Sequence, residues 1–239
     1  KKAAGRKKPF KNVIDADGNE KASTIADLRP IISAKLPVED PVLWNGRKNP
    51  YLYTVRCEIF DSTTQEVTDN IDIRTGLREY HIDSHKGFFL NGEHIKLHGV
   101  SRHQDRENMG NAITEKQHAE DVKIILDVGA NSVRLAHYQQ NSYFYDLCDE
   151  SGLLVWAEVP VISRFSPKRN ENAEQQLVEL IKQNYNHPSI FCWGIENEIT
   201  IAGSTSKKLI TFLKHMHKVA RHLDPTRYTT CAQLTMCPV

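Results

Sequence analysis

Glu196, Asn197 and Glu198 follow directly on an apolar run, residues 189–195, that begins after Pro188. A short apolar run bounded by turn residues reads as a strand buried on both faces. Ionised carboxylates at the rim of such a core cost free energy unless they are paired or put to use. Three further strand-like runs end in the same way. Residues 95–100 lead into Ser101, Arg102, His103, Gln104 and Asp105, residues 130–135 end with Arg134 and lead into His137 and Tyr138, and residues 153–157 lead into Glu158. In parallel α/β sheets the active site is built at the C-terminal ends of the strands. One histidine or arginine at such a place is normally structural, whereas four ends that together furnish Arg, His, Glu and Asn point to a site. Carboxylates beside amide, imidazole and guanidinium groups suit a neutral polyol, whose hydroxyls must be held while a proton is delivered to a leaving oxygen. From residue types alone, Glu196 and Glu198 are equivalent candidates for the proton donor.

Other chemistries lack their residues. No glycine-rich phosphate loop follows any strand, which disfavours nucleotide chemistry, and no cofactor is expected. His215 and His217 lie two apart in a helical pattern and so do not share a face, as metal ligands would have to. Asp15, Asp17 and Gly18 resemble the start of a calcium loop without its later glutamate, and a hairpin turn fits them better. The net charge of +1 over 239 residues argues against capture of nucleic acid, and the basic run at residues 1–8 reads as a solvated end. No run is long and apolar enough to span a membrane, so neither nucleic acid nor membrane is expected as a partner. Cys57, Cys148, Cys192, Cys231 and Cys237 are odd in number and scattered, which favours buried thiols over a disulfide framework. The compartment stays open between periplasmic, secreted and cytoplasmic.

Two textures meet near residue 80. Before it, short alternating runs such as residues 51–60 lie between turn signals, as in a small all-β module. After it, strand and helix patterns alternate, which specifies a parallel sheet with helical crossovers. Thr114 with Gln117 predicts a capping box, Val122, Ile125 and Leu126 an apolar stripe, and Gly129 a left-handed helix end. A second helix is predicted over about 141–152 on Phe144, Leu147 and Cys148. A third carries Leu177, Val178, Leu180 and Ile181 and stops before His187-Pro188. A fourth, over 206–223, is expected to bury Ile210, Leu213, Val219 and Leu223. Strands are expected over 95–100, 130–135, 153–157, 189–195 and 228–234.

With these residues in view the chain resembles glycoside hydrolase family 2, and within it the β-galactosidases. The segment G-F-F-L-N-G-E-H-I-K-L-H-G-V-S-R-H-Q-D, residues 87–105, is similar to the family's entry into its barrel, and N-S-V-R-L-A-H-Y, N-H-P-S-I and W-G-I-E-N-E match later landmarks in order. Upstream, D-P-V-L-W and N-P-Y-L-Y resemble the domain that precedes the barrel. The resemblance implies an incomplete (β/α)8 TIM barrel over 81–239, preceded by part of an immunoglobulin-like β-sandwich over 1–80. It implies retaining cleavage of terminal β-galactosides, with Glu198 as general acid/base and Asn197 on the sugar 2-hydroxyl. It also implies that Arg134 orients the nucleophile, that His103 and His137 contact the sugar, and that Glu158 supports the site. R-H-Q-D at 102–105 leans towards a galactoside. A β-glucuronidase or β-mannosidase of the same family, or a non-catalytic carbohydrate-binding module, are the alternatives, and a homo-oligomeric parent is allowed for.

Two departures from the family stand out. Where metal-activated β-galactosidases place a carboxylate and a histidine near the acid/base, this chain has Ile162 and Arg164, neither of which suits a hard cation, so no metal is expected. The family's nucleophile lies at the seventh strand, and a complete barrel takes about 250 residues. The chain is therefore expected to be a fragment that is inactive by itself.

Overall fold

The computed structural model describes residues 12–14, 20–22, 34–201 and 206–234. In chain order these form β1 (Asn12–Ile14), β2 (Glu20–Ala22), β3 (Trp44–Asn45), β4 (Asn49–Pro50), β5 (Tyr53–Phe60), β6 (Val67–Thr75), β7 (Tyr80–Asp83), β8 (Gly87–Leu90) and β9 (Glu93–Ile95). After these the pattern alternates: β10 (Gly99–Arg102), α1 (Glu115–Asp127), β11 (Ser132–Leu135), α2 (Ser142–Ser151), β12 (Leu154–Glu158), α3 (Asn170–Asn184), β13 (Ile190–Asn197), α4 (Lys207–Leu223) and β14 (Tyr228–Ala232). The strands β10 to β14 stand in sequence order in one five-stranded sheet, and a helix lies between each strand and the next in the chain. This is the first part of a (β/α)8 barrel. No helix among the described residues is long and apolar enough to cross a membrane. The described residues gather into two compact units, one of Val42–Ala157 with Gln183–Phe191, the other of those described within 1–41, 158–182 and 192–239.

The first unit opens with antiparallel ladders. β5 and β6 pair along their whole length, from Tyr53↔Thr75 to Phe60↔Val67. Asp61 closes the turn between them by accepting the backbone N–H groups of Thr63 (2.7 Å) and Thr64 (2.9 Å) on one oxygen, the local bond that makes aspartate a turn residue. Antiparallel pairing continues through β7, β8 and β9, past residue 80. Trp44, Phe88, Leu90 and Leu154 form a buried cluster. Trp44 buries its ring fully and donates Nε1–H to the Asp149 carbonyl at 2.9 Å, which spares an orphaned buried donor.

The parallel part of this unit pairs Gly99 with Ser132 and Ser132 with Leu154, in the order β10, β11, β12. The strand expected over 95–100 is two elements. Ile95 ends an antiparallel strand, and β10 starts only at Gly99. His98 separates them because its N–H donates to Asn131 Oδ1 and its carbonyl takes the N–H groups of Asn131 and Ser132. The capping box forms as read, with Thr114 N–H on Gln117 Oε1 at 2.9 Å, and Gly129 adopts φ +79. Asn141 caps α2 by accepting Tyr143 N–H, and Gly152 ends it at φ +73. A Cβ on Gly152 would stand 2.2 Å from the Gly46 carbonyl oxygen, so close approach and backbone sign both require glycine. Val155 N–H donates to the Ser189 carbonyl at 2.8 Å, where β13 is about to begin.

In the second unit β1 and β2 pair antiparallel, while the turn expected at 15–18 and the basic run at 1–8 lie outside the described residues. β13 and β14 run parallel with a bulge between Gly194 and Glu196. Helix α3 buries Leu177, Val178, Leu180 and Ile181 as expected. Helix α4 is turned by about one residue from the expected face. It buries Leu209, Phe212, Met216 and Val219, at spacings of three, four and three, and leaves Ile210 44% exposed. The buried set makes an unbroken stripe along one side, which the expected set did not. Two polar contacts join the packing. His215 Nε2 meets Glu174 Oε2 at 2.8 Å with both side chains buried. Asp224 accepts Trp193 Nε1–H at 2.9 Å and Arg227 Nη1–H at 2.8 Å on Oδ2, and Thr226 N–H on Oδ1.

Candidate active site

Strand sidedness sorts the residues at the end of β10. Arg102 is buried and points between helices, with Nε and Nη2 on Asp121 Oδ2 at 2.9 and 2.7 Å and its guanidinium carbon 3.8 Å above the Phe144 ring. Alternation then puts Ser101 and His103 on the opposite face. In register, Ser101 pairs with Arg134 and Arg134 with Trp156, so these three share that face. Arg134 lies 4.7 Å over the Trp156 ring and has Nη2 3.3 Å from His137 Nδ1. His137 in turn meets His103 edge to face, ring centres 5.0 Å apart. Tyr138 accepts Gln104 N–H at 2.9 Å, which fixes the chain just after His103. Arg134, His137 and His103 are thus brought together, while Arg102, though beside them in sequence, is a strut behind them. A guanidinium stacked on an indole beside two imidazoles makes a basic corner that suits a carboxylate.

In the second unit the ends of β12 and β13 carry the acidic groups. Glu158 is buried, and Cys192 close by has its thiol pushed well above the usual range, first by burial and then by the Glu158 charge. Asn197 is clamped on both sides, with N–H on the Val161 carbonyl at 2.8 Å and carbonyl on Ser163 N–H at 3.0 Å. Glu198 is half-exposed and left-handed, with φ +47, and its N–H donates to the Ala232 carbonyl at 2.8 Å. A non-glycine residue in this region costs of order 1–3 kcal/mol and persists where surrounding bonds fix it. Glu196 differs. It is 3% exposed, and its Oε2 accepts Ile199 N–H at 3.2 Å across the turn that contains Glu198. Cys231, opposite it in the ladder, has its thiol pushed up to about 12 by burial, the Glu196 charge and a hydrogen bond to that carboxylate. The bulge puts Glu196 on the same side as Trp193 and Asn197 on the side of Gly194.

Ile162 and Arg164 lie on the loop beside Asn197, where Ile162 forms a parallel bridge to Asn197. A hydrocarbon and a cation supply no oxygen to a hard divalent ion. Asp146, Asp149 and His187 have ligand-type atoms within 4.8 Å of one another. Asp149 uses them structurally, with Oδ2 on His187 Nδ1 at 2.6 Å and Oδ1 on Ser189 N–H at 3.1 Å. Sequence reading missed two residues. Trp156, the stacking surface for Arg134, sits two before Glu158 on the alternating pattern, which could have flagged it. Cys231 could not be found, because its place beside Glu196 depends on the ladder register.

Comparison with known proteins adds the lineage. The family model described as "Glycosyl hydrolases family 2, TIM barrel domain" matches residues 82–239, and that described as "Glycosyl hydrolases family 2" matches residues 2–78. A β-glucuronidase of Bacteroides fragilis is 43% identical over 206 residues, covering 82% of this chain and 29% of the relative. A β-galactosidase of Thermoanaerobacter pseudethanolicus is 32% identical over 222 residues, covering 91% of this chain and 29% of the relative. The crystal structure of a Bacteroides uniformis β-glucuronidase superposes with a TM-score of 0.78 at 34% identity, covering 83% of this chain and 25% of that one. The chain therefore spans less than a third of the length of these relatives.

Proposed function

The chain belongs to glycosyl hydrolases family 2, and we propose that it carries the acid/base half of a retaining β-glycosidase acting on β-glucuronides. Glu198 is the general acid/base, Asn197 binds the sugar 2-hydroxyl, and Arg134 with His137 and His103 receives the nucleophilic carboxylate and the sugar. Glu158 supports the site from the end of β12. The carrying observation is the contrast between two neighbouring glutamates: Glu196 has its carboxylate committed to Ile199 N–H and Cys231, while Glu198 stands half-exposed on a turn pinned by Ala232. In such a mechanism the nucleophile forms a glycosyl-enzyme while the acid protonates the leaving oxygen, and the same residue, now a base, activates water. The two carboxyls stand about 5 Å apart. Residues 1–80 and 81–239 correspond in this proposal to part of an immunoglobulin-like domain and the start of the barrel.

Two observations support the glucuronide reading. The leaning towards a galactoside rested on residues 102–105, and Arg102 among them is buried against α1 and α2. The 43% identical relative is named a β-glucuronidase. A β-galactoside remains the second reading, supported by the 32% identical relative named for that sugar. Turnover of 4-nitrophenyl β-glucuronide and β-galactoside by the complete protein distinguishes them, with the glucuronide expected to give the higher kcat/KM. Glu198→Ala should abolish cleavage of poor leaving groups and regain activity on aryl glycosides with azide. A harmless Glu198→Ala beside a dead, azide-rescued Glu196→Ala would reverse the assignment.

A further inference from the structure

A left-handed residue other than glycine persists where surrounding bonds fix it, and Glu198, at φ +47, has a rigid peptide plane on each side of its Cα to be fixed. The plane before it is clamped at both ends, with the Glu198 N–H on the Ala232 carbonyl at 2.8 Å and the Asn197 carbonyl accepting the Ser163 N–H at 3.0 Å. The plane after it has one backbone bond, from the Ile201 N–H to the Glu198 carbonyl at 2.9 Å, and that bond is local to the turn and moves with it. The other end of this plane, the buried Ile199 N–H, donates to Glu196 Oε2 at 3.2 Å. Glu196 is therefore the side chain that ties the second plane back to β13. A buried amide left without its acceptor is costly, so the turn would shift if that oxygen were removed. The carboxylate is itself braced from β14. Cys231 stands opposite Glu196 in the ladder, and its thiol, kept protonated first by burial and then by the Glu196 charge, hydrogen-bonds the carboxylate. Ala232, the next residue of β14, supplies the carbonyl that holds the Glu198 N–H. One strand thus supports the turn twice, once through its backbone and once through Glu196.

We propose that Glu196 is a positioning residue: its carboxylate, braced by Cys231, fixes the peptide after Glu198 and so aims the Glu198 carboxyl at the leaving oxygen. The proposal rests on Glu198 as the general acid/base. It gives a use to a buried carboxylate that the proton transfers leave idle, and such a group costs free energy unless it is bonded or employed. A bond that merely stabilised the fold would act on every substrate alike, through the amount of folded protein. A bond that aims Glu198 acts on proton delivery, so its loss shows where the leaving oxygen needs a proton.

The test uses the complete protein with Glu196→Met, which keeps the length and bulk of the side chain without an acceptor, and Glu196→Gln, which keeps an acceptor oxygen for the Ile199 N–H. Substrates are the phenyl and the 2,4-dinitrophenyl glycoside of the sugar it cleaves, the first with a leaving oxygen that needs a proton and the second with one that departs without. In Glu196→Met, kcat/KM should fall about 10–100-fold for the phenyl glycoside, the scale of a misplacement near 1 Å, and less than about threefold for the dinitrophenyl one. Glu196→Gln should stay within about threefold of wild type for both. No loss in Glu196→Met, or an equal loss on both substrates, overturns the proposal, and so does a dead Glu196→Gln that azide restores, which would make Glu196 the reacting group. Adding Glu196→Met to Glu198→Ala should change the phenyl rate less than about threefold, because no carboxyl remains to be aimed. A full further loss there overturns the positioning role alone, whereas a harmless Glu198→Ala overturns the acid/base reading and the positioning role with it. Cys231→Ala removes the brace with little change to the core and decides the matter if Glu196→Met does not fold. A fall of about 3–10-fold confined to the phenyl glycoside supports the proposal, on the scale of one hydrogen bond, and unchanged rates on both substrates refute it.

Discussion

Arg102→Met tests whether strand register, not nearness in sequence, decides which groups act. The native guanidinium makes two contacts to Asp121 Oδ2, one to Gln140 Oε1 and one, at 2.9 Å, to His118 Nδ1, while stacking on Phe144. Burial first, and the Arg102 charge second, hold His118 below its ordinary range, so its neutral ring can accept from Arg102. Methionine keeps the apolar stem over Phe144 and removes every polar contact. Asp121 retains Arg106 at 2.8 Å and is partly exposed, so its loss is softened. Gln140 and His118 are buried and lose their donor. Removing one partner of a buried pair costs about 3–5 kcal/mol, and the separate bonds do not add beyond that range because they share one guanidinium. For a protein of this size that is a fall of roughly 6–20 °C in Tm. Thermal unfolding of this chain by circular dichroism gives the melt, and kcat/KM of the complete protein, measured well below its melt, should stay within about threefold, a shift under 1 kcal/mol. A Met variant that melts within about 2 °C of wild type but loses a hundredfold in kcat/KM would refute the outward placement of Arg102.

Two further outcomes follow from the second unit. Asp224→Ala strands the buried Trp193 and Arg227 donors and should cost about 3–5 kcal/mol at neutral pH, read by the loss of blue-shifted Trp193 emission at lower denaturant. Burial alone would raise the Asp224 carboxyl, but the Arg227 charge and its hydrogen bonds outweigh this and hold it below the ordinary value of 3.8. Its contribution is therefore present above pH 3.8 and fades as pH falls through the depressed native value, so the gap between wild type and variant should narrow only in that acid range. Exhaustive EDTA followed by magnesium titration should change the rate of the complete protein less than twofold, because Ile162 and Arg164 offer no ligand oxygen, and a large magnesium-dependent recovery would contradict this.

The alternation of strand and helix was legible because period-2 and period-3.6 patterns reflect burial, and Thr114, Gly129, Asn141 and Gly152 mark helix ends through bonds that are local in sequence. The face of α4 was legible but misread, since Leu209, Phe212, Met216 and Val219 make an apolar stripe at helical spacing and Ile210 lies off it. The role of Arg102 was hidden. A polar residue at a strand end has one of two faces, and the face depends on where the strand starts, which His98 and Asn131 set through contacts 33 residues apart. For Glu196 and Glu198 the difficulty was sharper, because the bulge breaks the alternation that would otherwise rank them.

That bulge makes the facing of the last residues of β13 a matter of length. Ile195 is a supernumerary residue opposite β14. A strand of the same length without the bulge would turn Glu196 to the side that Asn197 now occupies, whereas one shorter by Ile195 could keep both as they are. Two relatives aligned letter by letter across W-G-I-E-N-E could therefore agree at every position and still present different carboxylates to a substrate. Conversely, a gap there could leave the presented surface unchanged.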